Sequence, residues 1–157
     1  LRLPTGVNIR LFSQKDSSTF LTAYRHCFSE QWEEGACRAL LTKPHVKIWL
    51  AMEGDEVIGF IVISQAEDEA EIVTIGVVLE HRKQGVASQL LERALQGMKH
   101  CFLEVSVENS MAYGFYQQHG FVEVGRRKDY YREGDRRVDA VIMEKLFYNV
   151  PCSVSLE

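Results

Sequence analysis

The chain has 157 residues, 46% of them hydrophobic, and its 18 basic against 22 acidic side chains leave a formal charge of −4. That composition suits one globular domain with a sizeable core. The small acidic excess excludes a general binder of nucleic acid or anionic membranes, which needs a basic patch. No apolar run approaches the roughly 20 residues of a membrane span, and "LRLPTGVNIR" at the start lacks the apolar centre of a signal peptide.

In chain order, "VNIRLF" (7–12) predicts a first short strand, and "SQKDSSTFLTAYRHCFSEQWEEGACRALLT" (13–42) predicts one or two helices. Asp16 or Ser17 is the expected cap of the first, whose apolar stripe is Phe20, Leu21, Tyr24 and Phe28. "VKIWLAM" (46–52) and "VIGFIVISQ" (57–65) form a hairpin around "EGDE", and "AEIVTIGVV" (70–78) returns as a strand after the acidic turn "AEDEAE". From Gln84 the period changes. Val86, Ala87, Leu90, Leu91, Ala94, Leu95 and Met98 line one face of an amphipathic helix, which Gly97, Lys99 and His100 close.

"CFLEVSV" (101–107) alternates as a strand, and "NSMAYGFYQQHG" (109–120) reads as a helix capped by Asn109 and stopped by Gly120. "FVEVGRR" and "RVDAVIMEKLF" are two last strands flanking the polar hairpin "KDYYREGDR". The order β-αα-β-β-β-α-β-α-β-β, with no repeat or linker, predicts an α/β (α+β) fold. It has one mixed, mostly antiparallel sheet of six or seven strands with about four flanking helices. One domain spans 1–157, with its core at 7–147 and a tail at 148–157.

The cysteines Cys27, Cys37, Cys101 and Cys152 are scattered, with no C-x-x-C and no histidine at zinc-ligand spacing. Reduced thiols in a cytoplasmic protein, and no metal, are the expectation. His26, His45, His100 and His119 read as surface or capping residues and His81 as a loop residue, while Trp32 and Trp49 read as core or lid. Leu1 and the closing Leu-Glu read as a trimmed start and a cloning remnant.

The seam "LEHRKQGVASQLL" (79–91) carries more information. A helix begins with four N–H groups that lack internal partners and a partial positive charge of about half a unit, so a phosphate fits there. Gly85 removes a Cβ that would block close approach, Ala87 keeps the first turn open, and Arg82 and Lys83 add charge at the rim. The pattern R-x-x-G-x-A is neither a P-loop nor G-x-G-x-x-G. By itself it is equally an ordinary strand–turn–helix junction with solvated basic residues.

"IGVVLEHRKQGVASQLL" resembles motif A of the GNAT acetyltransferase superfamily, and "LEVSVENSMAYGFYQQHGFVEVGRRKDYY…VDAVIM" (103–143) resembles its ribosomal-protein-alanine N-acetyltransferase (RimI-type) branch. Glu104, Asn109, Ala112, Tyr116, Gly120, Phe121, Tyr130, Tyr131, Asp139, Ala140 and Met143 are in register with that branch. The resemblance implies the GNAT fold and acetyl-CoA as cosubstrate. Ile75, Gly76 and Val77 would offer backbone groups to pantetheine. Arg82, Lys83, Gln84, Gly85, Val86, Ala87 and Ser88 would form the pyrophosphate turn. In this reading only the backbone at 75–77 matters, and side-chain exchanges there are mild. Departures from the pattern are Leu79-Glu80 for Asp-Pro, Ala87-Ser88 for Gly-Arg, a missing arginine after "LEV", and Gly114-Phe115 for an aliphatic pair.

Acetyl transfer to an amine needs a proton acceptor for the ammonium, a donor for the oxyanion and, for the departing thiolate, a proton. Glu104 shares a strand face with Phe102 and Ser106. By pattern alone it is either a solvated strand glutamate or a base on a face that Phe102 keeps dry; the resemblance makes it the base. Tyr116 is by pattern a core tyrosine beside Phe115, and by resemblance the acid. Asn109 caps its helix, contacts pantetheine, or does both. Tyr130 and Tyr131 sit in a charge-laced hairpin and, by resemblance, grip the backbone of a substrate's first residues, although neighbours on a flat strand face opposite ways.

The readings that follow are an N-acetyltransferase acting on a protein N-terminus, such as that of a ribosomal protein, or on a small amine, or else a silent acyl-CoA-binding module. Neither nucleic acid nor membrane is expected as a partner, and the chain is expected as a monomer or homodimer.

Overall fold

The computed structural model describes residues 2–28, 40 and 44–147. The helix expected in the later part of 13–42, together with Trp32, Cys37, Cys152 and the 148–157 tail, lies outside them. The elements are β1 (Val7–Leu11), a 3-10 turn (Gln14–Asp16), α1 (Ser17–Cys27), β2 (Val46–Glu53), β3 (Glu56–Ala66) and β4 (Glu69–Val77). A second 3-10 turn (Leu79–His81) leads to α2 (Val86–Ala94), β5 (His100–Ser106), α3 (Ser110–Gln118), β6 (Val122–Glu133) and β7 (Arg136–Leu146). Seven strands make one mixed sheet in the order β1-β2-β3-β4-β5-β7-β6. The chain gathers into two compact units, which divide after Gln96.

In the first unit, β1 to β4 run as an antiparallel meander. The stripe predicted on α1 buries Phe20 and Leu21 and packs Tyr24 and Phe28 around Phe60 of β3. Ring centroids lie 5.3, 5.5 and 6.1 Å from Phe60 for Phe20, Tyr24 and Phe28, the spacing of edge-on and stacked aromatic pairs. α2 settles on Gly59, where a Cβ would come within 3.3 Å of the Val86 and Leu90 side chains. This helix stops at Ala94, not Met98. Leu95 is still buried but has left the helical conformation, and Gly97 takes φ +81°, so the apolar period outruns the helix itself.

Asp16 precedes α1, but its carboxylate does not cap that helix. It turns back to accept from Arg10 at 2.8 and 2.7 Å and from the Ser13 N–H at 2.8 Å. The residue is only 5% exposed, and the hydrogen-bonded Arg10 guanidinium holds its carboxyl well below the usual carboxylate range. A depressed folded pKa contributes stability that is complete above the unfolded value near 4 and is lost as pH falls below it. Asp16→Asn is expected to cost about 1–3 kcal/mol at neutral pH by leaving Arg10 and Ser13 poorly paired. Urea unfolding at several pH values checks this, since the gap from the parent protein closes below about pH 4.

In the second unit, β7 lies between β5 and β6 and is antiparallel to both. Burial alternates along β5, with Cys101, Leu103 and Val105 inward and Phe102, Glu104 and Ser106 on the other face. β6 is longer than predicted. It runs through 128–133, so Tyr130 and Tyr131 stand in a strand and the turn is confined to Gly134-Asp135. Tyr131 pairs with Val138 in the β6·β7 ladder, and the two tyrosine rings meet each other. α3 begins at Asn109, whose Oδ1 accepts from Ala112 N–H at 3.1 Å, and ends before Gly120 at φ +88°.

Candidate active site

β4 carries an extra residue. Val62 of β3 pairs with Thr74 and Ile63 with Ile72, so Val73 is bulged out just before Ile75, Gly76 and Val77. Arg82 does not project freely at the rim. Its Nε donates to the Val77 carbonyl at 2.8 Å, pinning the strand end to the turn that follows. Lys83 takes φ +62° and Gly85 φ +83°, both in the left-handed region just before α2, and Lys83 and Gln84 are exposed. Val86 is buried against Gly59, so only its backbone is available to a ligand, while Ala87 and Ser88 are half-buried in the first helical turn. The α2 start thus presents first-turn amides with no carbonyl ahead of them, an anion seat made by the backbone.

His81 pairs outside the turn. Its Nε2 lies 3.3 Å from Glu53, and its Nδ1 is buried. His26 lines a cavity of about 530 Å³ beside α1 together with Thr22, Val57 and Val78.

Gly76 departs from expectation. An added Cβ would stand 2.7 Å from the Phe60 ring and 3.0 Å from the Cys27 sulfur, so this position needs glycine for packing and not only for backbone geometry. Burial raises the Cys27 thiol, while the neighbouring Arg82 works the other way. Gly76→Ala is expected to lose about 1–3 kcal/mol through overpacking. A second change, Phe60→Leu, should return part of that loss, which thermal unfolding of the single and double variants would show.

In the second unit, Glu104 stands on a face shared with Ile142 of β7 and Gly125 and Arg127 of β6. Its side chain is 14% exposed, and its Oε1 accepts from Arg127 Nε at 2.6 Å. The Tyr131 hydroxyl donates to the Glu104 backbone carbonyl at 3.0 Å. This convergence depends on a bend. From Arg127 to Tyr131, β6 advances four positions while β7 advances two, from Ala140 to Val138. Asp129 sits in the bulge at φ +54° with its N–H bonded to the Asp139 carboxylate at 2.8 Å. The bend resolves the problem of neighbouring tyrosines: their rings meet edge to face at 5.1 Å rather than pointing oppositely.

Tyr116 is 5% exposed, wedged between Phe115 and Phe121 at ring separations of 5.4 and 5.6 Å. Burial chiefly, with Cys101 and Tyr131 nearby, pushes its phenol above the ordinary tyrosine value. His100 is no lone surface residue, because its Nε2 lies 3.0 Å from Glu144 and its ring stacks on Phe102. His119 packs on Phe115 at 4.7 Å, and Trp49 lies under the Arg93 guanidinium. Among the described residues, no three His, Cys, Asp or Glu side chains gather as metal ligands.

The sequence profile of the acetyltransferase (GNAT) family matches residues 17–121, two thirds of the chain. The chain belongs to that family. This GNAT chain is 29% identical over 117 residues to the [Ribosomal protein bS18]-alanine N-acetyltransferase of Escherichia coli K12, covering 71% of this chain and 78% of that protein. The crystal structure of the ribosomal-protein-S18-alanine N-acetyltransferase from Escherichia coli superposes with a TM-score of 0.81 at 22% identity, covering 96% and 99% of the two chains. Arabidopsis thaliana NAA60 in complex with acetyl-CoA gives 0.76 at 19% identity over 89% and 98%. As a member of the GNAT family the chain is an N-acetyltransferase of the RimI-like kind with acetyl-CoA as its acetyl donor.

Two members of the candidate site carry no distinguishing motif in the sequence: Arg127 is one of the charges around the Tyr130-Tyr131 hairpin, and Cys27 is a scattered thiol. No spacing links Arg127 to Glu104, since the strand order β5-β7-β6 and the bulge create the contact. Cys27 had one signal, its place at the end of the apolar stripe of α1.

Proposed function

We propose that this enzyme acetylates the N-terminal α-amine of a protein, with Glu104 as proton acceptor and Tyr116 as proton donor. The observation that carries the reading is the sheltered Glu104 carboxylate, on a residue whose backbone carbonyl accepts from Tyr131 where the β6 bend turns the Tyr130 and Tyr131 rings toward one another. Tyr130 is half exposed and offers a flat polar-tipped surface to a peptide backbone, while Tyr131 fixes the strand that bears the carboxylate. The bS18-directed relative acts on a protein's terminal alanine, which supports a protein acceptor over a free small amine.

Acetyl-CoA is the donor substrate. The α2 amides and the backbone of Ile75 to Val77 hold its pyrophosphate and pantetheine, with Asn109 beside the arm and Lys83 and Gln84 at the exposed rim. The α-ammonium gives a proton to Glu104, directly or through one water, and the freed nitrogen attacks the thioester carbonyl carbon. A C–N bond forms and the carbonyl electron pair moves to oxygen, where backbone N–H groups stabilise it. Collapse breaks the C–S bond, the attacking nitrogen gives its second proton to water to leave the neutral amide, and the thiolate takes its proton from the Tyr116 hydroxyl. Solvent reprotonates the phenolate, and Glu104 releases its proton to water.

The test is incubation with acetyl-CoA and two pools, short peptides with free N-termini and small primary amines. Intact mass and coenzyme A release are followed together. Mass gain at the peptide α-amine is the expected result. Acetylation confined to small amines would overturn the protein acceptor, and donor binding without any transfer would leave a silent acyl-CoA module.

A further inference from the structure

An amine acceptor reaches an enzyme at neutral pH mainly as an ammonium, so its seat is a cation site. The structure holds one in the second unit, and it is filled by the chain's own cation. The Arg127 guanidinium donates through Nε to Glu104 Oε1 at 2.6 Å, and its Cζ lies 5.6 Å from the centre of the Tyr130 ring. A carboxylate on one side and an aromatic face on the other are the two partners an ammonium takes.

We propose that Arg127 is a built-in stand-in for the acceptor's ammonium, and that the acceptor must displace it from Glu104 before reacting. The proposal rests on Glu104 being the proton acceptor. Three features make the guanidinium a guest rather than a structural pin. It meets the carboxylate through Nε rather than through the paired fork that gives the strongest arginine–carboxylate binding. Its side chain is 56% exposed while that of Glu104 is 14% exposed, so the cation comes from the solvent side. The strand that bears Glu104 is held without it, because the Tyr131 hydroxyl and the β5·β7 ladder fix the backbone of residue 104. A guanidinium cannot give up its proton in water, whereas an α-ammonium titrates near pH 8. Exchange of one for the other therefore converts a paired carboxylate into one with a proton to accept.

Two neighbouring cations of this hairpin form ion pairs of their own. Arg126 pairs with Glu123 and Arg136 with Glu108. Arg127 is thus the cation that covers the candidate base among the described ion pairs.

The experiment uses the full chain and its Arg127→Gln and Arg127→Lys variants, labelled with carboxyl-¹³C glutamate, the Glu104 signal being assigned by its loss in Glu104→Gln. Methylguanidinium is the probe. The Glu104 carbon signal is expected to shift on titration in Arg127→Gln, where the seat is empty, and to stay still in the parent and in Arg127→Lys, where a tethered cation holds it. A signal that stays still in both Arg127→Gln and Arg127→Lys, or that moves equally in the parent, overturns the proposal. Steady-state kinetics supply the consequence: peptide KM falls about fivefold in Arg127→Gln, the scale of an exposed ion pair, and methylguanidinium then competes with the peptide. The carbon shift is read without any acceptor, so failure to acetylate peptides would count against the proposed acceptor and leave the occupancy of the seat separately decided.

Discussion

Replacing Glu104 by glutamine is expected to lower kcat by about 10²–10⁴-fold, the range for loss of a general base. The change is nearly isosteric, and the glutamine carbonyl can still accept from Arg127, so the fold should persist. Tyr131 anchors the backbone carbonyl of residue 104, not its side chain, and that bond survives as well. Residual activity should then depend on acceptor that has already lost its proton. The variant's rate should climb with pH through the α-amine range near 7.7–8.0, where the parent has levelled. Parallel measurement of kcat and melting temperature separates chemistry from stability. Full turnover in a folded Glu104→Gln protein would remove this residue from proton transfer and leave the carboxylate as an anchor for Arg127.

Tyr116→Phe is expected to cost about 10²-fold in kcat, at the low end of acid–base effects. The low end follows from the phenol's surroundings. Burial raises its pKa, so the proton is firmly held and the group is a weak acid toward a thiolate that also leaves unaided. The same shift fixes the pH behaviour: because the folded-state pKa lies above the usual 10, no alkaline loss of activity below that pH belongs to this residue. The ring contacts with Phe115 and Phe121 remain in the phenylalanine variant, so stability should change little. Tyr116→Ala empties the wedge and should lose about 3–5 kcal/mol, as large aromatic truncations do. If Tyr116→Phe and the parent turn over equally, the tyrosine is a core residue and the thiolate is protonated by solvent.

Much of the fold is legible because period and punctuation agree. Alternation in "CFLEVSV" marks the buried face of β5 residue by residue, and Asn109 and Gly120 bracket α3 as caps do. The start of α2 is legible at Gly85, but its end is not, because Leu95 goes on filling the core from a turn. Long-range consequences of register are the larger gap. Asp16 looks like a helix cap from its neighbours, yet Arg10 draws its carboxylate away. Tyr130 and Tyr131 look like loop residues, and only a two-residue bulge opposite Asp139 brings both rings together. Gly76 illustrates the same limit from the packing side. From the sequence only the backbone of Gly76 matters and a side-chain exchange there is mild, while the packing constraint comes from Phe60 and Cys27.

That constraint has an evolutionary face. Positions 27, 60 and 76 share one small volume, so they are not free to drift independently. A lineage that replaces Gly76 by a larger residue must already carry something smaller than phenylalanine at 60 or lose the α1 contact at 27. The order of changes is then fixed: the core residue shrinks first, at the cost of a void, and the glycine follows. Aligned relatives should therefore show a bulky side chain at 60 beside glycine at 76, or the reverse, and rarely bulk at both.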